Sequence, residues 1–231
     1  MSLEMPALIK KYTGDVETHH VTTKDGYILT MFRIPRKNYK GVILLEHSLA
    51  VDSRAWVGQG NESLAFYLWH AGYEIWLSNA RGTLISSFHE IGFYDLSSQV
   101  LLAKNYSHSK IIYIGHSQGS SAGLIYSSLH PKEANNSIKL LVFILFPVSL
   151  SLLNLLLSFF LGWTPKQADP AVLNFDCGVY LSDFSWKLLL HYLQLVKSET
   201  RFQQFDYGKQ RNLKYYKSEL PPRPGLGTPH P

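Results

Sequence analysis

Residues 111–123 read IIYIGHSQGSSAG: an apolar run of β type, then G-x-S-x-G, then a string of small residues. This spacing suits a hydroxyl nucleophile, because a serine on a sharp turn between strand and helix holds its hydroxyl clear of the backbone. Side chains at Gly115 and Gly119 would collide with neighbouring backbone, and small residues after them let the helix close on the sheet. The free N–H groups of that helix N-terminus favour negative charge developing beside Ser117, as attack on an acyl carbonyl demands. An unactivated serine is a poor nucleophile, so the same chemistry asks for a histidine to take its proton and an acid to orient the histidine.

The elements that must position Ser117 are legible around it. Residues 19–35 alternate about Asp25 and Gly26, which is a hairpin signal. Residues 41–47 (GVILLEH) form a short continuous apolar run, as expected for a strand in a sheet covered on both faces, and a loop follows at 47–50. Asn61 or Ser63 can cap a helix from Leu64 to Ala71 that stops at Gly72, and 73–77 (YEIWL) returns as a strand. Strand, helix and strand in this order make a parallel crossover. With the strand before Ser117 and another from Leu140 to Phe146, the fold class is α/β with a mainly parallel sheet and helices on both faces.

Residues 140–161 carry no charge. They read as a buried strand ending near Phe146, then Pro147, then an apolar helix; a membrane span is the competing reading. A wide apolar face recurs over 186–196. The proline-rich end, 221–231, suits neither helix nor central strand.

With 231 residues, 45% of them hydrophobic and 17% charged, the chain can bury one sizeable core. The net charge of +5 is scattered except for Lys209, Arg211, Lys214 and Lys217, which read as a solvated face, and no nucleic-acid motif accompanies them. Cys177 is the single cysteine, so no intrachain disulfide forms. Residues 1–6 lack the pattern of a signal peptide, whereas N-x-S sequons at Asn61, Asn105 and Asn135 hint at a secretory route.

Several blocks together resemble the acid lipase family, the gastric, lysosomal and insect lipases of the α/β-hydrolase fold. They are 20–29 (HVTTKDGYIL), 63–66 (SLAF), 71–82 (AGYEIWLSNARG), 89–96 (HEIGFYDL), 113–119 (YIGHSQG) and 202–208 (FQQFDYG). The resemblance implies a serine ester hydrolase of neutral lipids, triacylglycerols or cholesteryl esters, acting through an acyl-enzyme on Ser117. The backbone N–H groups of Gln118 and Leu49 would form the oxyanion hole. It further implies a lipid ester or lipid surface as partner, a secreted or lysosomal setting, and neither metal nor organic cofactor. The domain plan is a core at 1–148, a reduced helical lid at 149–201, a return to the core at 202–222 and a tail at 223–231.

The chain also departs from the family. Ser48 stands where the family has glycine in its H-G-L loop, the insert after Gly82 is short, and the lid lacks the family's cysteine pair. The family's last strands, with their acid and histidine, have no counterpart before the proline-rich end. The acids and histidines left after Ser117 are Asp169, Asp176, Asp183, Asp206, His130, His191 and His230, and none is assigned. His116 is a weak candidate base, and His19, His20 and His47 read as structural. The alternative to a hydrolase is therefore a catalytically inactive lipase-like protein that at most binds apolar ligands.

Overall fold

The computed structural model describes residues 5–49, 51–82, 88–144, 186–197 and 203–223. Helix α1 (Met5–Thr13) precedes the hairpin of β1 (Glu17–Thr22) and β2 (Ile28–Ile34), paired antiparallel from Glu17↔Arg33 to Thr22↔Ile28. Gly26 turns the hairpin at φ 93°, a left-handed value that glycine adopts without strain. Strand β3 (Val42–Glu46) is buried throughout, and α2 (Leu64–His70) leads to β4 (Glu74–Leu77), also buried throughout. Ser63 occupies the N-cap position of α2 but makes no capping bond, and its buried hydroxyl has no hydrogen-bond partner.

A helical stretch follows, from α3 (Phe88–Glu90) through a π-turn at Ile91–Asp95 into α4 (Leu96–Ser107). Then come β5 (Ile111–His116), α5 (Gln118–Leu129), α6 (Pro131–Ser137) and β6 (Ile138–Ile144). Helices α7 (Trp186–Lys197) and α8 (Lys209–Tyr216) complete the described elements.

The sheet runs β1-β2-β4-β3-β5-β6, with β4, β3, β5 and β6 parallel. Successive side chains point to opposite faces of a strand, and the two cores follow that rule. Val42, Leu44 and Trp76 face a cluster with Val100, Ile125 and Tyr126 from α4 and α5. Ile43, Leu45, Ile75 and Leu77 face Ile9 and Phe66 from α1 and α2. The α/β class, with helices on both faces of a mostly parallel sheet, is what the periodicity indicates. Strand β6 is an edge among the described residues, with Leu140 53% exposed.

The strand expected from Leu140 starts at Ile138 and is described to Ile144, so the first residues of the charge-free stretch are sheet. No helix among the described residues is long and apolar enough to cross a membrane. The apolar lid helix expected after Pro147, most of the lid at 149–201 and the tail beyond 223 lie outside the described residues. Helix α7, assigned to that lid, docks on the core through the Lys187–Glu90 ion pair at 3.1 Å and the stacked rings of His191 and His89.

The loop leaving β4 is held by Arg81, whose side chain is 2% exposed. Its backbone N–H and Nε both donate to the Asp95 carboxylate, at 2.9 and 2.7 Å, and its Nη atoms reach Asp25 in the hairpin turn. The guanidinium lies 4.0 Å from the ring centre of Tyr27. Removing one partner of a buried pair strands the other charge. Arg81→Met should therefore lower the free energy of unfolding by about 3 to 5 kcal/mol in urea titrations; a change under about 1 kcal/mol would contradict this role for the clamp.

Candidate active site

Ser117 sits between β5 and α5 at φ 50°, ψ −104°, a conformation that non-glycine residues avoid. The surroundings hold it there. Its N–H donates to the Ile144 carbonyl at 3.0 Å, the Ser120 hydroxyl donates to the Gly115 carbonyl at 2.8 Å, and the Tyr113 hydroxyl donates to the Gly119 carbonyl at 2.6 Å. The flanking glycines are required by contact, as the motif suggested. A Cβ on Gly115 would lie 2.6 Å from the Gly119 carbonyl carbon, and one on Gly119 would lie 2.6 Å from the Glu46 carbonyl oxygen. Gly123 is equally confined, since a Cβ there would come within 2.7 Å of the Tyr113 ring.

The hydroxyl of Ser117 does not cap α5, and the residue is partly exposed. Gln118 is the first residue of α5, where a backbone N–H has no partner inside the helix. Leu49 lies in the turn after β3, the strand hydrogen-bonded beside β5 with Glu46 opposite Gly115. The loops after β3, β4 and β5 thus open at one end of the sheet. A cavity of about 570 Å³ opens at that end too, between the hairpin residues Leu29 and Phe32 and the loop residues Arg54, Asn79 and Arg81.

His47 pins the loop that carries Leu49. Its Nδ1 is 2.8 Å from the Ser48 carbonyl, and the Ala80 N–H donates to its Nε2 at 3.1 Å. The carbonyl requires a donor at Nδ1 and the amide requires an acceptor at Nε2, so these partners define a neutral ring. Burial lowers its pKa and preserves that state. The structural reading of His47 from sequence fits these contacts.

Sequence reasoning did not single out Glu46. It closes β3, is 1% exposed, accepts a hydrogen bond from the Ser78 hydroxyl and carries the carbonyl against which Gly119 packs. A charge ending the run VILLE was the available signal. Burial pushes its carboxyl up to about 7, and burial likewise pushes up that of Asp95, to about 7.

The candidate triad partners are engaged elsewhere. His130 Nε2 lies 2.9 Å from the Phe93 carbonyl, and buried His191 bonds the Gln203 carbonyl at 2.9 Å. Asp206 accepts from the Gly208 N–H at 2.8 Å and from Asn212 Nδ2 at 2.7 Å. His116 sets its ring edge-on to Trp56, with centroids 6.4 Å apart. Asp169, Asp176, Asp183 and His230 lie outside the described residues.

Sheet order, parallel core and a strained serine between β5 and α5 define the α/β-hydrolase fold. Residues 5–60 match the family model described as a partial alpha/beta-hydrolase lipase region. The chain is 30% identical to Lipase 1 of Drosophila melanogaster over 97% of its own length and 64% of that protein's. It is 29% identical to the gastric triacylglycerol lipase of Rattus norvegicus, over 96% of this chain and 74% of the relative. Against the human lysosomal acid lipase/cholesteryl ester hydrolase the identity is 37%, over 58% of this chain and 40% of the relative. Among solved structures, an esterase of Pyrococcus furiosus superposes with a TM-score of 0.52 at 16% identity, over 72% of this chain and 61% of that one.

The chain is thus similar to acid lipases along nearly its whole length. It spans less than two-thirds of the Drosophila Lipase 1, and their alignment of 287 positions exceeds the chain itself, so that relative carries internal segments this chain lacks.

The raised Glu46 carboxyl has a signed consequence. It keeps its proton to about pH 7 in the folded protein, against an ordinary value of 4.5. Between those values the folded state binds more protons, so this group's stabilisation is complete below about pH 4.5 and is lost as pH rises to 7. Its contribution to that slope is up to about 3 kcal/mol. Urea unfolding at several pH values should show a shallower decline for Glu46→Gln than for the unaltered chain. Identical slopes would mean that Glu46 is already ionised at the acid end.

Proposed function

We propose that this protein is a serine ester hydrolase of neutral lipids, with Ser117 as its nucleophile. The observation that carries the proposal is the conformation of Ser117, at φ 50° on a turn whose flanking glycines leave no room for a Cβ. Strain of this kind costs about 1 to 3 kcal/mol and persists only where packing over-determines it. It serves to present a hydroxyl.

In the proposed reaction Ser117 Oγ attacks the ester carbonyl while its proton passes to a base, and the carbonyl oxygen becomes an oxyanion. The backbone N–H groups of Gln118 and Leu49 receive that oxyanion, assisted by the positive end of α5. Collapse expels the alcohol and leaves an acyl group on Ser117; water then releases the acid. The names of the relatives, gastric triacylglycerol lipase and lysosomal acid lipase/cholesteryl ester hydrolase, support a lipid ester as substrate.

A second reading has an observation of its own. His130, His191 and Asp206 are each committed to other partners, so no base or acid for Ser117 is assigned among the described residues. In that reading the chain is an inactive lipase-like protein that binds apolar ligands. An oxyanion hole without a working triad accelerates hydrolysis about three to four orders of magnitude over water, far below a complete site.

A fluorophosphonate probe separates the two. The active reading expects stoichiometric labelling at Ser117, read by peptide mass, and loss of both labelling and short-chain ester hydrolysis in Ser117→Ala. An unlabelled, folded wild-type chain that turns over no ester would defeat it.

A further inference from the structure

The basic bunch near the end of the chain acquires a different meaning once α8 is folded. Asn212 and Tyr216 are its buried positions. Asn212 accepts the Tyr207 N–H at 2.9 Å and donates to Asp206, while the Tyr216 hydroxyl donates to the Phe205 carbonyl at 3.0 Å. These contacts fix which face of the helix looks outward.

That outward face carries Lys209, Arg211 and Lys214, with Lys217 and Arg223 exposed just beyond. Interleaved with them are large apolar side chains, Leu213 at 43%, Tyr215 at 38% and Leu220 at 66% exposed. The turn after the helix folds back along it. Lys209 pairs with Glu219 at 2.8 Å and Asn212 Nδ2 donates to the Glu219 carbonyl at 3.0 Å, which holds the turn that carries Leu220 against the helix. Glu219 is the one acid of residues 209–223, and Asp206, just before them, accepts through Oδ1 from Gly208 and Asn212.

A merely solvated face needs neither exposed leucines nor an excess of one charge. Cations that can reach headgroups beside exposed leucines that can enter the acyl boundary are what an element docked on a lipid–water interface presents. We propose that α8 and the turn after it, residues 209–223, dock this protein on anionic lipid surfaces. The cations approach anionic headgroups while Leu213 and Leu220 enter the acyl boundary. The proposal stands independently of whether Ser117 is catalytic.

Flotation of the full chain with unilamellar vesicles tests it. One set is phosphatidylcholine alone, the other contains about a third phosphatidylglycerol, each at low and high salt. The expected result is binding to the anionic vesicles that falls steeply with salt. Each basic side chain near such a surface contributes about fivefold, about 1 kcal/mol, so Arg211→Gln/Lys214→Gln/Lys217→Gln should lose about a hundredfold. Leu213→Ser/Leu220→Ser should lose roughly tenfold. Lys10→Gln/Lys11→Gln, two exposed lysines on α1, should change binding less than about twofold.

All the altered side chains are exposed and leave Asn212 and Tyr216 in place, and circular dichroism verifies that the helices persist. Equal binding to both vesicle types, or wild-type binding by the triple variant, overturns the proposal. So does an equal loss in the α1 control, which would reduce the effect to net charge. Capture by polyglutamate without vesicle binding would also overturn it, since that marks an acidic protein as the partner.

Discussion

The candidate site depends on one close approach, in which the first turn of α5 lies against the carboxyl end of β3 with no room for a side chain at Gly119. A Cβ on Gly119 would stand 2.6 Å from the Glu46 carbonyl oxygen and 3.0 Å from that of His47. Because the two backbones touch, the start of α5 and the loop carrying Leu49 are held by the same contact. The approach also accounts for the strain at Ser117: a chain leaving β5 must reverse within one residue to begin a helix that close, and the turn takes up a positive φ.

The polar interior beneath this contact is unusual for its density of ionisable groups. Glu46, Asp95, Arg81 and His47 are all buried at or just beyond the ends of the parallel strands and the π-turn. Each has a defined partner: Ser78 for Glu46, Arg81 for Asp95, and Ser48 with Ala80 for His47. Buried charges remain in place only when paired or neutralised. Arg81 is paired, whereas Glu46 and Asp95 are pushed toward neutrality by burial. The site therefore rests on hydrogen-bonded groups rather than on free charge: acid favours the protonated carboxyls of Glu46 and Asp95 but works against the neutral ring of His47.

Much of this was legible in the residues. The continuous apolar run at 41–47 and the returning stretch at 73–77 marked β3 and β4, and G-x-S-x-G located the turn before α5, because these signals are local. What escaped was long-range or compensated. The Arg81–Asp25 pair spans 56 positions and its only local trace is a charge at a turn. The π-turn at 91–95 comes from the crossing with α5, where Gly92 would place a Cβ 2.7 Å from Ile125, and no propensity rule anticipates it. Ser63 took the N-cap position expected of it yet buried its hydroxyl unpartnered, so position was legible and bonding was not. The basic bunch at 209–217 showed its charge in sequence but not its exposed leucines, which depend on which face of α8 meets the core.

Fold and chemistry separate cleanly at Ser117. The bonds that keep the turn in place use the backbone of Ser117, the hydroxyls of Tyr113 and Ser120 and the carbonyls of Gly115, Gly119 and Ile144. The Ser117 hydroxyl makes no capping bond and contributes nothing to this scaffold. A strained turn that holds without its own hydroxyl leaves that group free for a reaction, and it also allows the turn to outlast the reaction. Likeness to the acid lipases lies in the scaffold, whereas activity follows from what meets the hydroxyl. The two are different physical questions asked of one residue.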